Sequence, residues 1–399
     1  MSQVQLPREG REVTAQETVQ VPPVSEILSL KEMETLAMVR LSPKARSYYA
    51  SATDDEITKH ENNNIYRQIL LRPRVLVNCT ECDPSVTFLG HRLDIPIFVS
   101  PAAAAQLAHP VGEAGIAKAC SSFKTLQIIS KNASLPVDEI VKAGPNAVFG
   151  WQLYIVKDIK ETERDLQRLK AIPQVKFIVL TTDAPFPGKR EAEVRFKMAE
   201  VAAGGPPQTW GTESNLTWKK TLAWLQTKTN LPIVLKGIQT FEDAYIASLF
   251  PSVKGIILSN HGGRALDTVA PPIQTLLEIR KYCLPVLNKL DVFIDGGIKR
   301  GTDVVKALAL GAKAVGIGRA PLFGLAVAGE QGVHRTLEIL SEETVTAMRL
   351  LGAQNVAQLK SSHVNTATLK SRLYDGLVYL EDLEKEVRQD VKMSMWARK

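Results

Sequence analysis

Eight short runs rich in Val and Ile recur along the chain, and stretches able to form helices separate them. This alternation is typical of a parallel sheet, because a helix must carry the chain back before each new parallel strand. Eight such units in succession predict a closed TIM (β/α)8 barrel. The predicted strands are Pro96–Ser100, Thr125–Ser130, Ala147–Tyr154, Phe177–Asp183, Pro232–Gly237, Gly255–Asn260, Val292–Gly297 and Ala314–Arg319.

The predicted barrel carries N-terminal and C-terminal helical additions. Before it, Ser29-Leu30-Lys31-Glu32 has the spacing of a capping box and opens an amphipathic stretch. After it, helical periodicity begins near Gln331 and extends towards the end of the chain. We predict a flexible polar tail over residues 1–24, one domain over 25–388 and a C-terminal tail over 389–399.

The composition excludes several classes of protein. The net charge is +7, but no basic block is long enough to predict nucleic-acid binding. No apolar run approaches the ~20 residues of a transmembrane helix, and the first residues lack a secretion signal. Cys79 and Cys82 form a single C-x-x-C without a second pair of zinc ligands, which favours reduced thiols.

The longest interval between predicted strands separates Asp183 from Pro232. It contains Ala203-Gly204-Gly205-Pro206-Pro207, which predicts an irregular excursion. A loop of this length is either a lid over a binding site or a plain surface insertion.

A base and a cation stand three residues apart at the end of one predicted strand. His261 and Arg264 flank two glycines shortly after the apolar run Gly255–Leu258, at the end of the predicted strand. An imidazole takes up a proton near neutral pH, and a guanidinium holds a carboxylate by two parallel hydrogen bonds. Removal of hydrogen from a 2-hydroxy acid requires this combination of a base and a carboxylate clamp.

All eight predicted strands end in segments rich in polar, charged or glycine residues. In a βα barrel this edge of the sheet carries the active site. Asp295-Gly296-Gly297 and Gly316-Ile317-Gly318-Arg319 form the ends of the last two predicted strands and precede apparent helices. Because glycine-rich turns aim backbone N–H groups at anions, these two segments predict a phosphate site.

Several motifs occur in the order typical of one family: Tyr48-Tyr49-Ala50-Ser51, Arg72-Pro73-Arg74-Val75-Leu76, Ala108-His109-Pro110, Gln152-Leu153-Tyr154, Gly188-Lys189-Arg190-Glu191, the His261 run and Asp295-Gly296-Gly297. On these motifs the chain resembles, from about Ser25 to about Arg388, the FMN-dependent 2-hydroxy acid oxidases and dehydrogenases, a glycolate oxidase-like family. Agreement in order over most of the chain makes the resemblance specific.

The resemblance implies FMN as cofactor and a role for each matching residue. His261 is expected to be the catalytic base, with Asp183 as its partner. Residues expected to hold the substrate are Tyr48, Tyr154, Arg190 and Arg264. Residues expected to contact the cofactor are Pro101, Ala102, Ala103, Ser130, Gln152, Thr181, Lys236, Ser259, Asp295, Gly296, Gly297, Ile298, Lys299, Gly318 and Arg319. His109 is expected to be structural.

The implied reaction converts an (S)-2-hydroxy acid into a 2-oxo acid, by hydride transfer or through a carbanion. Dioxygen is the expected electron acceptor. Too few residues precede the barrel to form the haem domain that some family members carry, and no membrane-inserting stretch that would favour a membrane quinone is evident. The alternatives are a non-redox FMN barrel enzyme, such as an isomerase, and a catalytically silent flavoprotein. The family also implies a homotetramer. Ala397-Arg398-Lys399 lacks the final Leu of a peroxisomal signal, so the cytoplasm is the expected location.

Some positions depart from the family pattern. Ala102 stands where Thr is common, and Asn132 where an aromatic or apolar residue is usual, with an unusual Lys131 beside it. Lys299 replaces an Arg, which exchanges a planar fork for a point charge. Pro185-Phe186-Pro187 also departs from the usual Pro-x-Leu. The changes in the pocket predict a more polar or larger acid than glycolate or lactate.

Overall fold

The computed structural model describes residues 22–205, 211–376 and 379–385. Most of the predicted N-terminal tail and all of the predicted C-terminal tail lie outside these ranges. The described chain contains twelve strands: β1 (Leu70–Leu71), β2 (Val86–Phe88), β3 (His91–Leu93), β4 (Ile97–Val99), β5 (Leu126–Ile129), β6 (Val148–Leu153), β7 (Val175–Thr181), β8 (Ile233–Ile238), β9 (Val253–Leu258), β10 (Asp291–Asp295), β11 (Val315–Ile317) and β12 (Val364–Asn365).

Strands β4 to β11 close into a barrel in chain order, with β11 pairing back onto β4. All the pairs in the barrel are parallel. Each predicted strand agrees with the observed one to within two residues at either end. The predicted TIM barrel is therefore confirmed.

A layer of helices surrounds the barrel and buries the outward-facing apolar residues of the strands. The helices are α1 (Leu30–Arg40), α2 (Pro43–Ala50), α3 (Ile57–Arg67), α4 (Gly112–Ser122), α5 (Val137–Ala143), α6 (Ile159–Leu169), α7 (Glu191–Ala202), α8 (Trp218–Lys228), α9 (Phe241–Ala247), α10 (Pro272–Tyr282), α11 (Val286–Lys289), α12 (Gly301–Ala309) and α13 (Arg319–Leu351). Within the described ranges, no helix combines the length and apolar character that crossing a membrane requires.

The amino-terminal end of the barrel is filled by aromatic rings. Phe88, in the antiparallel hairpin β2–β3, stacks on Phe293 of β10 with ring centroids 3.6 Å apart. It also meets the edge of Phe98 at 5.5 Å and stacks on Phe177 at 5.1 Å. The hairpin therefore plugs this end and leaves the opposite end open for a site.

The flanking helices follow the sequence predictions in part. The Ser29 hydroxyl accepts from the Glu32 N–H at 3.1 Å, so it caps α1 as expected. Glu32 accepts from Leu28 N–H rather than from Ser29, so only half of the predicted capping box forms. The predicted C-terminal helix ends at Leu351, because Gly352 takes a left-handed φ of +77°. The chain then continues through short 3₁₀ turns, and residues 380–385 are helical again.

The long interval between β7 and β8 contains two helices in its described part. Helices α7 and α8 occupy much of it, and part of the predicted irregular excursion lies outside the described residues. After the excursion, Gly211 O accepts from Lys157 N–H at 2.8 Å, and Thr212 forms a β-bridge with Val156. The segment after the excursion is thus tied to the end of β6.

Candidate active site

A cavity of about 800 Å³ opens at the carboxyl ends of the barrel strands. Most of the predicted site residues line it: Tyr48, Pro101, Ala102, Ala103, Ser130, Gln152, Tyr154, Arg190, Lys236, His261, Arg264, Asp295, Gly296, Gly297, Ile298, Lys299, Gly318 and Arg319. Three others, Thr181, Asp183 and Ser259, are buried behind this wall and contact residues that form it.

A tight left-handed turn after β9 presents His261 to the cavity. Its backbone has φ of +57°, and Gly262 and Gly263 continue with φ of +64° and +77°. Gly263 N–H donates to Asn260 O at 3.0 Å and closes the turn. Because left-handed backbone strains most side chains, the two glycines relieve strain that a longer non-glycine run would accumulate.

The imidazole of His261 pairs with the carboxylate of Asp183. Nδ1 of His261 lies 2.9 Å from Oδ1 of Asp183, whose side chain is fully buried. Burial alone would raise the pKa of Asp183, but the adjacent His261 and Lys236 hold it below its usual value. The carboxylate is therefore ionised and accepts from Nδ1–H, which leaves Nε2 of His261 as the basic nitrogen.

Arg264 lies beneath Tyr48 on the same cavity wall. Its Nη1 donates to the backbone oxygens of Tyr48 at 2.5 Å and Ser51 at 3.1 Å. Its Cζ is 5.1 Å from the centre of the Tyr48 ring, a cation–π distance. Burial, and then the neighbouring Arg190, lower the pKa of Arg264. This guanidinium is held in place before any ligand arrives.

Two phenols complete this side of the cavity. Burial raises the pKa of Tyr154, and so does the nearby charge of Asp183. Burial also raises the pKa of Tyr48, although Arg264 opposes the shift. Both phenols therefore stay neutral near pH 7 and can donate a hydrogen bond to an anionic ligand.

The carboxylate of Glu193, which no sequence motif indicated, contacts both predicted substrate-binding arginines, Arg190 and Arg264. Arg190 donates to it from Nε at 2.6 Å and from Nη2 at 3.3 Å. Nη2 of Arg264 lies 3.6 Å from the same carboxylate. The i, i+3 spacing from Arg190 at the start of a helix was the available signal, but such pairs are usually surface features.

Buried polar groups form two hydrogen-bonded clusters at the barrel mouth. The Lys236 ammonium donates to Ser259 Oγ at 2.8 Å and lies 3.2 Å from the Asp295 carboxylate. Nearby, Ser130 donates to Gln152 Oε1 at 3.0 Å, and Gln152 Nε2 donates to Thr181 Oγ1 at 3.0 Å. Thr181 and Ser259 are buried at the carboxyl ends of their strands and do not line the cavity, so they orient the lining residues Gln152 and Lys236.

The loop after β10 lies so close to α3 that only glycine fits at the point of contact. Gly296 and Gly297 have φ of +89° and +83°, and a Cβ on Gly297 would collide with the backbone oxygen of Asn62. After β11, a Cβ on Gly318 would meet nothing within 4 Å, so the space beside it is open. Helix α13 begins at the next residue, Arg319, so its N-terminus points at this space.

Two cations flank the open space. Lys299 forms an ion pair with Glu34 of α1. Arg319 donates to the backbone oxygens of Tyr49 at 3.0 Å and of Ser51 and Gly262. Burial lowers the pKa of Arg319 to about 10, which still leaves it charged at neutral pH. Arg319 therefore braces three segments as well as supplying charge.

The residues present fit FMN. A helix N-terminus, two glycine turns and two cations form a cradle for its phosphate. The buried donors on Lys236 and Gln152 suit the polar edge of an isoalloxazine ring. Backbone of Pro101–Ala103 offers a ledge, fixed where Tyr49 donates to Ala104 O at 2.6 Å. Fold and site together define a flavin-binding (β/α)8 barrel with a base and a carboxylate clamp.

Comparison with known proteins agrees with this class. The family model described as FMN-dependent dehydrogenase matches residues 37–366, and the chain belongs to this family. It is 38% identical over 378 residues to the L-lactate dehydrogenase (cytochrome) of Saccharomyces cerevisiae, covering 88% of this chain and 63% of that protein. It is also 38% identical to glycolate oxidase 1 of Zea mays over 368 residues, 87% of this chain and 98% of the relative.

Solved structures agree as well. The recombinant flavin-binding domain of baker's yeast flavocytochrome b2 superposes with a TM-score of 0.82 at 39% identity. That superposition covers 92% of this chain and 93% of the other. The chain spans less than two thirds of the length of the yeast L-lactate dehydrogenase it matches.

Proposed function

We propose that this protein oxidises an (S)-2-hydroxy acid to the 2-oxo acid with FMN as cofactor. One observation carries the proposal: His261, paired with the buried Asp183, and the Arg264 clamp line the same cavity as the phosphate cradle. A base, a carboxylate site and a flavin site within one cavity are the parts that this reaction needs.

Binding comes first and fixes the orientation of the substrate. The guanidinium of Arg264 holds the substrate carboxylate, and the Tyr48 hydroxyl donates to it. Both are immobilised before binding, by the contacts of Arg264 to backbone oxygens and to the Tyr48 ring. The α-carbon and its hydroxyl then face His261, so little freedom remains to be lost at the chemical step.

Proton transfer is the task of His261. Nε2 takes the hydroxyl proton of the substrate, and the buried carboxylate of Asp183 stabilises the imidazolium that results. FMN, when bound, accepts the hydride or electron pair that leaves the α-carbon. Abstraction of the α-carbon proton by the same nitrogen is the other order, and it uses the same residues.

The substrate that we propose has a neutral polar or larger side chain. Lys131 and Asn132 line the cavity, and the small Ala102 leaves room beside them. The charge of Lys131 is already paired, because its Nζ lies 3.0 Å from Glu161 and 2.5 Å from Asp165. The amide of Asn132 is therefore the group that favours a polar, uncharged substituent.

Anaerobic mixing tests the proposal. The FMN-loaded protein should lose its visible flavin absorption when the correct 2-hydroxy acid is added, with one 2-oxo acid formed per flavin. A panel of acids that differ in size and polarity identifies the preferred substrate. His261→Ala should bind FMN yet keep its colour with the same acid.

Two outcomes would contradict the proposal. Wild-type holoprotein that keeps its colour with every acid would point to a catalytically silent flavoprotein or a non-redox enzyme. Bleaching that survives in His261→Ala would show that another group takes the proton.

A further inference from the structure

The clamp around Arg264 contains a carboxylate of the protein itself. Glu193 forms a two-bond fork with Arg190 and lies 3.6 Å from Arg264. The side chains of Glu193, Arg190 and Arg264 are only 11%, 13% and 17% exposed. The cluster thus holds two cations and one anion away from bulk water, with a net charge of +1.

We infer that Glu193 is a specificity-determining residue that restricts the substrate to a single carboxylate. The inference rests on the proposed function, in which Arg264 binds the carboxylate of a 2-hydroxy acid. One substrate carboxylate brings the cluster to neutrality. A second carboxylate would leave it with a net charge of −1.

The geometry blocks a second carboxylate in two ways. Nε and Nη2 of Arg190 are the atoms that could grip it as a fork, and Glu193 already occupies both. The negative charge of Glu193 also repels a second substrate carboxylate that approaches Arg190. Because the cluster is largely buried, water screens this repulsion weakly.

Glu193 holds this position without help from a ligand. It lies in the first turn of α7, where the helix dipole favours an acidic side chain. Arg190 is in turn fixed at its other end, since Nη1 donates to Arg264 O at 3.0 Å. The carboxylate is therefore a fixed part of the pocket wall.

Two variants separate charge from position. Glu193→Gln keeps the shape of the side chain and one acceptor for Arg190 but removes the charge, and Glu193→Asp keeps the charge on a shorter side chain. We would measure kcat/KM for (S)-malate and for (S)-2-hydroxybutyrate, which is similar in size but lacks the second carboxylate. The ratio of malate to hydroxybutyrate should rise about tenfold or more in Glu193→Gln and stay near the wild-type ratio in Glu193→Asp.

A binding measurement covers the case in which turnover is slow. Calorimetry on the FMN-loaded proteins compares malonate, a dianion, with propionate, and Glu193→Gln should tighten malonate binding more than propionate binding. An unchanged ratio in Glu193→Gln, or equal losses for both acids in both variants, would overturn the inference. If Glu193→Gln binds malonate more tightly but no 2-hydroxy acid bleaches the wild-type flavin, the proposed function fails. The inference that Glu193 excludes a second carboxylate then still stands.

Discussion

At the scale of single residues, Gly237 decides where the carboxylate of Asp183 can lie. Its φ of +106° is a conformation that few side chains tolerate, and a Cβ there would lie 2.5 Å from Asp183 Cγ. The absence of a side chain in β8 thus allows Asp183 to turn towards His261. A glycine at the end of a predicted strand was the only sign of this close approach.

Substitution of this glycine should affect stability and turnover together. We expect Gly237→Ala to lower the free energy of unfolding by about 2–4 kcal/mol, because it adds a clash to backbone strain. Displacement of Asp183 should also lower kcat. Gly90→Ala is the matched control, since Gly90 also has a positive φ of +84° but nothing within 4 Å of the added Cβ. It should cost only about 1 kcal/mol, measured by urea unfolding, and leave kcat unchanged.

The ionised state of Asp183 gives a prediction about pH. Its pKa in the folded protein lies below the usual value, so the charge contributes stability above the unfolded pKa of about 3.9. That contribution is lost as the pH falls through the lower folded pKa. Compared with Asp183→Asn, the wild type should therefore have a constant advantage in free energy of unfolding above about pH 5, and this advantage should shrink below about pH 4.

Turnover provides the second measurement on the same variant. Asp183→Asn removes the charge that stabilises the imidazolium, so kcat should fall by about 100-fold or more at neutral pH. FMN binding should be retained, since Asp183 does not line the cavity. An advantage that stays constant down to pH 2, or an undiminished kcat, would argue against an ionised Asp183.

At the scale of secondary structure, α1 reaches across to the phosphate cradle. Glu34 of α1 pairs with Lys299, which follows β10. The same carboxylate adds a negative charge near Arg319. A phosphate group would have to share Lys299 with Glu34, so this helix weakens the cradle for anions.

Removal of the Glu34 charge should therefore tighten cofactor binding. Because the pair is about one third exposed, we expect a modest effect: about a threefold lower Kd for FMN in Glu34→Gln. Lys299→Met should raise the Kd by a larger factor. Quenching of FMN fluorescence on titration of the apoprotein measures both. Riboflavin, which lacks the phosphate, is the control ligand and should bind the two variants and the wild type equally.

The strands were more predictable than the contacts between elements. Val- and Ile-rich runs located all eight barrel strands, because burial on both faces of a parallel strand demands an apolar run. The cradle glycines were equally visible, since each opens a turn before a helix. Glu193 and Glu34 were not predicted, because their partners are set by the packing of α7 and α1 on the barrel mouth, which no local pattern encodes.

Termination of α13 was missed for a related reason. The helical stretch was predicted to extend from Gln331 towards Lys399, but Gly352 ends α13 in a left-handed conformation, where a Cβ would lie 3.0 Å from Val77. That contact comes from a distant part of the chain. Periodicity alone therefore did not locate the end of α13.

At the scale of the whole molecule, the aromatic packing that stabilises the barrel and the candidate active site lie at opposite ends of the barrel. The aromatic plug around Phe88 closes one end, and the cavity opens at the other. We expect Phe88→Ala to lower the free energy of unfolding by about 3–5 kcal/mol, because it empties a packed ring site. The Kd for FMN and the kcat at 25 °C should stay close to wild type. Leu350→Ala, at an exposed position, is the control and should be nearly neutral in urea unfolding.

The open end of the barrel also bears on the electron acceptor, which we propose is dioxygen. A small neutral molecule can enter a cavity of about 800 Å³ beside a bound flavin without a docking surface. After anaerobic bleaching with the preferred acid, admission of air should restore the flavin absorption and yield one hydrogen peroxide per 2-oxo acid. Ferricyanide added under nitrogen is the control, since it tests whether the bleached flavin can be reoxidised at all. Recovery with ferricyanide but persistent bleaching in air would identify a dehydrogenase that needs another acceptor.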